Sequence, residues 1–199
     1  MIGLIDYGAG NLKSVVKALL YLGEEAEIIH SPSDLSEADK LILPGVGSFG
    51  PAMQYIKQGG WLEPVLKWIN QGRPFLGICL GMQLLFEESE ESPGATGLSV
   101  FPGKCRKFQA SKVPQIGWNN ITFRKKDPLF ADIPKGEFFY FVHGYYVETT
   151  DEDAVLAEAE YSLNYPAAAG RGRIYGVQFH PEKSGPAGLK LLDNWRRLC

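Results

Sequence analysis

Short apolar runs alternate with helix-like segments through the first 80 residues, and this alternation restricts the fold more than any other feature of the chain. The runs are "MIGLID", "EAEIIH", "KLIL" and "PFLGI", and each has the length of a buried strand. Between them, apolar residues recur at helical spacing after Asn11 and again in "WLEPVLKWIN". Strands that alternate with helices in this way predict a parallel sheet covered by helices on both faces.

The second half of the chain has a different pattern, in which strand-like runs are joined by Gly, Pro, Asn and Asp turns. The runs are "LSVFPGKCRKF", "GWNNITF", "EFFYFVHGYYV", "AVLAEAEY" and "IYGVQF", and a helix-like segment, "SGPAGLKLLDNWRRL", closes the chain. We therefore expect an α/β fold, a three-layer sandwich with a mostly parallel central sheet plus additional antiparallel strands. The length of 199 residues suits a single domain over residues 1–199.

Local signals predict where several of these elements begin and end. Asn11 is placed to cap the first helix, and Gly23 is placed to end it. Pro44 is expected to end the third strand, and a helix is expected to begin near Leu80. The stretch "SPSDLSEAD" is predicted to be a loop or a short helix, and the acidic "EESEES" is predicted to be a loop.

The charge and the cysteine usage of the chain exclude some classes of protein. A formal net charge of -3 argues against a general binder of nucleic acid or of anionic membranes, which would carry a basic excess. Three cysteines without a CxxC pair form no disulfide or metal-ligand framework, so we expect no metal site. The sequence shows no signal-peptide pattern and no apolar run of membrane-spanning length, and we expect a cytoplasmic protein.

One cysteine stands between two glycines, in Gly77-Ile78-Cys79-Leu80-Gly81, where an apolar strand is predicted to turn into a helix. The pattern G-x-S-x-G presents a serine nucleophile at such a turn, and here Cys79 occupies the serine position. The start of a helix favours the thiolate, which is the reactive form of cysteine. The N–H of Leu80 would then face the oxyanion of a tetrahedral intermediate. The alternative is that Cys79 is a small residue of the core.

A cysteine nucleophile needs a base, and the chain has three histidines. His30 ends a predicted strand and is expected at the surface, and His143 lies within an aromatic strand. His180 ends the last apolar strand, and Glu182 follows two residues later, on the same side of an extended segment. A surface ion pair is the alternative for this H-x-E pattern. Taken together, the framed cysteine and the H-x-E pattern predict a Cys79–His180–Glu182 triad.

Two glycine-containing loops follow the first and third strands. In "LILPGVGSFG", the residues Gly45, Val46 and Gly47 can turn backbone N–H groups towards an anionic oxygen, although an ordinary turn would have the same composition. The "GAGN" loop resembles part of a dinucleotide-binding motif, but Lys13 occupies the position of its third glycine. We therefore predict an oxyanion-binding loop after the third strand and no bound nucleotide after the first.

Several motifs together resemble those of the class I glutamine amidotransferases. The motifs are "PGVGSFG", "GICLGMQLLFEESEE", "QIGWN", "FYFVHGYY" and "QFHPEKSG", and with the "DYGAGN" start the resemblance covers nearly the whole chain. More narrowly, they resemble those of the glutaminase subunits of imidazole glycerol phosphate synthases, which act in histidine biosynthesis. At two positions the chain departs from the expected pattern: Gly144 stands where we expect a small hydroxyl residue, and Gln115 where we expect a histidine.

The resemblance implies a reaction, a set of site residues and a partner. Cys79 would attack the side-chain amide of glutamine, His180 would shuttle the proton, and Glu182 would orient His180. The ammonia would pass to a (βα)₈-barrel cyclase subunit in a heterodimer, which makes imidazole glycerol phosphate and aminoimidazole carboxamide ribotide from a phosphoribulosyl-formimino nucleotide. No cofactor is implied. By motif position, glutamine would be bound by Gln83, Glu91, Gly144 and Tyr145, and the partner or the ammonia route would be faced by Asn11, Tyr140 and Lys183.

Three other functions remain open from the sequence. The chain could be the glutaminase subunit of another class I amidotransferase pathway, such as anthranilate, guanylate or pyridoxal phosphate synthesis. It could also be a stand-alone hydrolase of small amides, which would turn over without a partner. The third alternative is a non-enzymatic binding module that retains the triad.

Overall fold

In the computed structural model, which describes residues 1–8 and 10–199, strands and helices alternate through the first half of the chain. The strands are Ile2–Ile5 (β1), Ala26–Ile29 (β2), Lys40–Gly45 (β3), Phe75–Cys79 (β4), Glu88–Ser89 (β5), Lys104–Lys107 (β6), Gln115–Asn120 (β7), Thr122–Phe123 (β8), Phe138–His143 (β9), Tyr145–Glu148 (β10), Val155–Glu160 (β11), Asn164–Arg171 (β12) and Ile174–Val177 (β13). The helices are Leu12–Tyr21 (α1), Phe49–Gln58 (α2), Leu62–Asn70 (α3), Leu80–Gln83 (α4) and Gly185–Leu198 (α5). Short 3₁₀ turns lie at Pro32–Glu37, Pro128–Phe130, Glu152–Ala154 and Pro181–Lys183.

The central sheet has the strand order β2-β1-β3-β4-β13-β12-β11-β8. The first five strands in this order are parallel, and the last three continue the sheet with antiparallel pairs. Strands β7 and β9 form a separate antiparallel pair, and β10, β6 and β5 form a third sheet. This confirms the predicted α/β fold with a mostly parallel central sheet and additional antiparallel strands.

Helices cover both faces of the central sheet. One cluster of buried side chains joins Ile42 of β3 to α1 and α5, where Val15 and Trp195 contribute to it. The other cluster joins Leu41 and Leu43 of the same strand to α2 and α3. Because successive strand residues point to opposite faces, this division places a layer of helices on each side of the sheet.

Two local predictions are wrong. Strand β3 continues through Pro44, because its pairing with β1 ends at Ile42 and beyond that residue the proline removes no hydrogen bond to β1. Asn11 stands at the start of α1, but its side chain makes no capping hydrogen bond. The prediction of a helix that begins near Leu80 is confirmed, although this helix is only four residues long. The prediction for Gly23 is confirmed, since it follows the end of α1 with a φ of +75°.

Some elements had no clear signal in the sequence. Helix α2 has the sequence "FGPAMQYIKQ", in which glycine and proline occupy the first turn. Strand β12, "NYPAAAGR", contains proline, glycine and three alanines, which are residues that isolated strands disfavour. The "GAGN" loop includes Ala9, which lies outside the described residues. Within residues 1–8 and 10–199, none of the helices combines the length and the apolar character that a membrane crossing requires.

Candidate active site

The site lies at the carboxyl end of the parallel strands, where β3, β4 and β13 are neighbours. Gly45 at the end of β3 pairs in register with Cys79 at the end of β4. Strand β13 pairs with β4 on its other side, and His180 follows it by three residues. The sheet order therefore brings together a glycine loop, a cysteine and a histidine that lie up to 135 positions apart in the chain (180 minus 45).

Cys79 occupies a strained turn between β4 and α4. Its backbone has a φ of +55° and a ψ of −110°, a conformation that residues other than glycine rarely adopt. The glycines on each side permit this turn. A Cβ on Gly77 would lie 2.5 Å from the carbonyl oxygen of Gly81, and a Cβ on Gly81 would lie 1.8 Å from the carbonyl oxygen of Leu43. The strain and the close packing hold Cys79 in one orientation at the edge of the sheet.

The thiol of Cys79 contacts two groups that the sequence analysis did not identify. The side-chain amide of Gln178 lies with Nε2 3.7 Å from Sγ, and Sγ lies 3.9 Å from the carbonyl oxygen of Val142. Gln178 is fully buried, and its Oε1 accepts a hydrogen bond of 3.0 Å from Gln83. The signal for Gln178 was present in the sequence, because it stands two residues before His180 in an apolar strand.

His180 and Glu182 form a buried pair. His180 Nδ1 lies 2.8 Å from Glu182 Oε1, and the two side chains are 3% and 2% exposed. The geometry differs from the one predicted, since Glu182 lies in the 3₁₀ turn Pro181–Lys183 and not in an extended segment. The turn, rather than strand alternation, brings the carboxylate back to the ring. Among the described residues, His180 Nε2 has no hydrogen-bond partner.

The surroundings of His180 favour its charged form. Burial alone would lower the pKa of the imidazole, but interactions with Cys79 and with Glu182 outweigh burial and raise that pKa to about 9. His143, also buried at this site, has the opposite tendency, because burial lowers its pKa to about 4. Its Nδ1 lies 2.8 Å from the carbonyl oxygen of Tyr145. Two neighbouring imidazoles are thus held in different protonation states at neutral pH.

The predicted oxyanion loop divides into a buried and an exposed part. Gly45 is buried, and a Cβ added there would lie 2.6 Å from the hydroxyl of Tyr7 and 2.9 Å from Cβ of Leu80. Val46 and Gly47 line the cavity beside Cys79. Because α4 has only four residues, the helix dipole expected at Cys79 is reduced to the N–H groups of a single turn.

A cavity of about 360 Å³ opens at Cys79, which is within the range of small-ligand pockets. Gln83 lines it and donates a hydrogen bond of 3.1 Å to the carbonyl oxygen of Tyr145. Glu91 contributes the acidic wall. The structure therefore brings together most of the predicted site residues. The cavity is lined by Val46, Gly47, Cys79, Leu80, Gln83, Glu91, Val142, His143, Gly144, Tyr145, His180 and Lys183.

The residues predicted to face a partner are not all at the cavity. Lys183 lines it, and Nζ of Lys183 lies 6.0 Å from the ring centroid of Tyr140. Asn11 is exposed at the start of α1 and does not line the cavity. Of the two departures from the family pattern, Gly144 borders the cavity, and Gln115 accepts a hydrogen bond of 2.9 Å from the buried hydroxyl of Tyr165. In the described part of the chain, no three His, Cys, Asp or Glu side chains are grouped so that they could hold a metal ion.

A family model and several known proteins match nearly the whole chain. The family model described as "Glutamine amidotransferase class-I" matches residues 3–197. A protein named imidazole glycerol phosphate synthase subunit HisH, from Desulfitobacterium hafniense (strain DSM 10664 / DCB-2), is 47% identical over 98% of this chain and 93% of its own length. A protein of the same name from Geobacillus sp. (strain WCH70) is 48% identical over 100% of this chain and 97% of its own.

Solved structures share the fold at lower identity. A structure described as "Crystal structure of glutamine amidotransferase" has a TM-score of 0.77 and 20% identity, and the match covers 98% of both chains. The structure of PurLQS from Thermotoga maritima has a TM-score of 0.79 and 20% identity, and the match covers 98% of this chain and 96% of that one.

Proposed function

Because this chain belongs to the class I glutamine amidotransferase family, we propose that it is the glutaminase subunit of an imidazole glycerol phosphate synthase. In this role, residues 1–199 act as one cytoplasmic catalytic domain that hydrolyses glutamine to glutamate and ammonia. The observation that carries the proposal is the strained Cys79 beside the buried His180–Glu182 pair, at the mouth of a cavity of amino-acid size. The identity of 45–48% to proteins named HisH supports the histidine pathway over other amidotransferase pathways.

The first half of the reaction forms a covalent intermediate. Cys79, as the thiolate beside the protonated His180, attacks the side-chain amide carbon of glutamine, and the carbonyl oxygen becomes an oxyanion. The N–H of Leu80 and the N–H groups of the Gly45–Val46–Gly47 loop stabilise that oxyanion. His180 then gives its Nε2 proton to the amide nitrogen, the C–N bond breaks, and ammonia leaves a γ-glutamyl thioester on Cys79.

The second half regenerates the enzyme. Neutral His180 takes a proton from water, the hydroxide attacks the thioester carbon, and the C–S bond breaks to release glutamate. Glu182 holds the ring through Nδ1 and stabilises its charged form in both halves. The buried amide of Gln178, 3.7 Å from Sγ, supports the sulfur while it carries negative charge.

The cavity offers complementary groups for an α-amino acid. Glu91 on one wall would pair with the ammonium group of glutamine, and Gln83 with the backbone at Gly144 and Tyr145 would line the substrate's path. Lys183, which lines the same cavity, supplies the positive charge that complements the α-carboxylate of glutamine. These contacts place the amide end of glutamine at Cys79 when its charged end meets Glu91.

An exposed apolar surface beside the cavity is the proposed docking face for the cyclase. Ile116 and Trp118 on β7 are 59% and 57% exposed, and Phe138 on β9 is 52% exposed. Trp118 pairs with Tyr140 across the two strands, with the ring centroids 6.1 Å apart. Aromatic residues exposed together in this way are typical of an interface. Through Tyr140 and Lys183 this face reaches the cavity, so ammonia could leave towards a partner bound there.

Replacement of the nucleophile tests the proposed chemistry. We expect Cys79→Ala to abolish glutamine-dependent synthesis by the complex and to leave ammonia-supported synthesis in place, because only the glutaminase step needs the thiolate. Loss of both activities would mean that Cys79 has a structural role. Full glutamine turnover by the isolated chain, unchanged by the cyclase, would favour a stand-alone amide hydrolase instead.

Two surface variants test the docking face. Trp118→Ala should weaken binding of the cyclase by roughly tenfold or more, as expected for a large aromatic residue at an interface, without changing the fold. Lys183→Ala should lower the stimulation of glutaminase activity by the partner, measured as the ratio of glutamate release with and without the cyclase, because Lys183 also lines the substrate cavity. Arg171, which is exposed and remote from this face, provides the control variant Arg171→Ala. If Trp118→Ala and Arg171→Ala bind the cyclase equally well, the docking face lies elsewhere.

A further inference from the structure

Helix α2 starts directly after the glycine loop of the active site, and its first N–H groups are bound by a distant segment. Ser48 stands at the capping position, but its side chain makes no capping hydrogen bond. Instead, Phe49 N donates to Glu91 Oε2 over 2.7 Å, and Gly50 N donates to Ser92 Oγ over 2.9 Å. Two neighbouring residues, each 42 positions further along the chain, thus replace the local cap.

The two segments are in direct contact. A Cβ on Gly50 would lie 2.7 Å from Ser92 Oγ and 2.8 Å from Ser92 Cβ, so only glycine allows this approach. Two hydrogen bonds fix the segment that contains Ser92. Glu91 N donates to Ser89 Oγ over 3.2 Å, and Glu90 N donates to Cys105 O over 2.9 Å. The start of α2 is therefore clamped to a part of the fold that β5 and β6 hold in place.

This clamp, the pair of hydrogen bonds from Phe49 N to Glu91 and from Gly50 N to Ser92, connects two walls of the cavity. Glu91 lines the cavity and also accepts the hydrogen bond from Phe49 N. Val46 and Gly47, which line the cavity next to Cys79, lie only three and two positions before Phe49, respectively. Ser92 does not line the cavity, but its hydroxyl holds the turn of helix that follows the loop. A displacement of this turn would move the loop relative to Cys79.

We propose that Ser92 is a positioning residue for the glutaminase reaction, which holds the first turn of α2 and thereby the Gly45–Gly47 loop in place beside Cys79. This inference rests on the proposed function. The acidic stretch "EESEES" caps α2 through two neighbouring residues with different roles. Glu91 faces the substrate, and Ser92 supports the loop. Loss of the hydroxyl would loosen the groups that meet the transition state more than those that bind the ground state.

The test compares two serine-to-alanine variants at the same helix end, in the complete complex with the cyclase. Ser92→Ala should lower kcat for glutamine hydrolysis about fivefold with KM nearly unchanged, as expected for the loss of one capping hydrogen bond. Ser48→Ala should match the parent, since its hydroxyl caps nothing. Ser92→Thr, which keeps the hydroxyl, should restore most of kcat.

Several results would contradict the role proposed for Ser92. An unchanged kcat in Ser92→Ala, an equal loss in Ser48→Ala, or a change confined to KM would overturn the role of Ser92. If Ser92→Ala does not fold, hydrogen exchange of the Gly50 amide in the parent protein decides, because rapid exchange would show that the hydroxyl does not hold it. A parent complex that releases no glutamate would refute the proposed function itself, and not the clamp alone.

Discussion

The variant Glu182→Gln removes the charge of the triad carboxylate and keeps its shape. In the parent, Glu182 Oε1 lies 2.8 Å from His180 Nδ1, and both side chains are almost completely buried. The glutamine amide can still accept a hydrogen bond through its oxygen, so the ring can keep its orientation. What changes is the electrostatic support for the imidazolium, because a buried charged acceptor is replaced by a neutral one.

The size of the effect follows from the pKa of His180. Burial lowers this pKa, and the interactions with Cys79 and Glu182 raise it to about 9. At pH 7.5 nearly all of the imidazole is then protonated, whereas roughly a tenth would be protonated at the ordinary pKa of about 6.5. Loss of Glu182 removes one of the two interactions that raise the pKa of His180, so this pKa should move downwards. We therefore expect kcat at pH 7.5 to fall by at most about tenfold from protonation alone, and by up to about a hundredfold with imperfect orientation.

The assay is glutamate release by the complex with the cyclase between pH 5.5 and about 10, with kcat and KM measured at each pH. In Glu182→Gln, the fall of kcat/KM on the basic side should begin at lower pH than in the parent, and KM at pH 7.5 should change much less than kcat. Glu152→Gln is the control, because Glu152 is an exposed carboxylate in an ion pair with Arg124. A parent-like kcat, or a basic limb that does not move, would refute the role given to Glu182.

The same pair affects stability, and three further substitutions test the structure. Because the pKa of His180 is raised in the folded protein, the stability from its charged form is present in full below about pH 6.5 and is lost as the pH rises through about 9, which thermal unfolding across this range should show. Gly81→Ala should destabilise the protein by roughly 3 kcal/mol or more, or prevent folding, because its Cβ would lie 1.8 Å from the carbonyl oxygen of Leu43; a melting temperature like that of the parent would contradict the geometry of the turn. Gln178→Leu should slow alkylation of Cys79 by iodoacetamide about tenfold at neutral pH, since it removes the amide next to Sγ, and an unchanged rate would remove Gln178 from the site. Tyr7→Phe should leave the free energy of unfolding unchanged or raise it by about 1 kcal/mol, because the buried hydroxyl has no partner among the described residues; clear destabilisation would reveal a missing hydrogen bond.

Each difference between the predicted and the observed elements has a physical reason. The sequence predicts that Pro44 ends β3, but a proline is acceptable where the strand has no further pairing with β1 on one side. The contact between Glu182 and His180 was predicted on the assumption of an extended chain, whereas a 3₁₀ turn produces it. Strand β12 was missed because its alanines and glycine are favourable only between two neighbouring strands, which a local pattern cannot show.

By itself, the sequence determined the parallel α/β core and pointed to Cys79, His180 and Glu182. These features are local, because strand and helix periodicity, the glycine frame of Cys79 and the spacing of the H-x-E pattern each extend over a few residues. Only the tertiary structure decided that β13 lies beside β4, that Gln178 contacts the thiol, and that Glu91 and Ser92 cap α2. Each of these contacts joins residues 42 or more positions apart, so it depends on how the layers pack and not on any pattern along the chain.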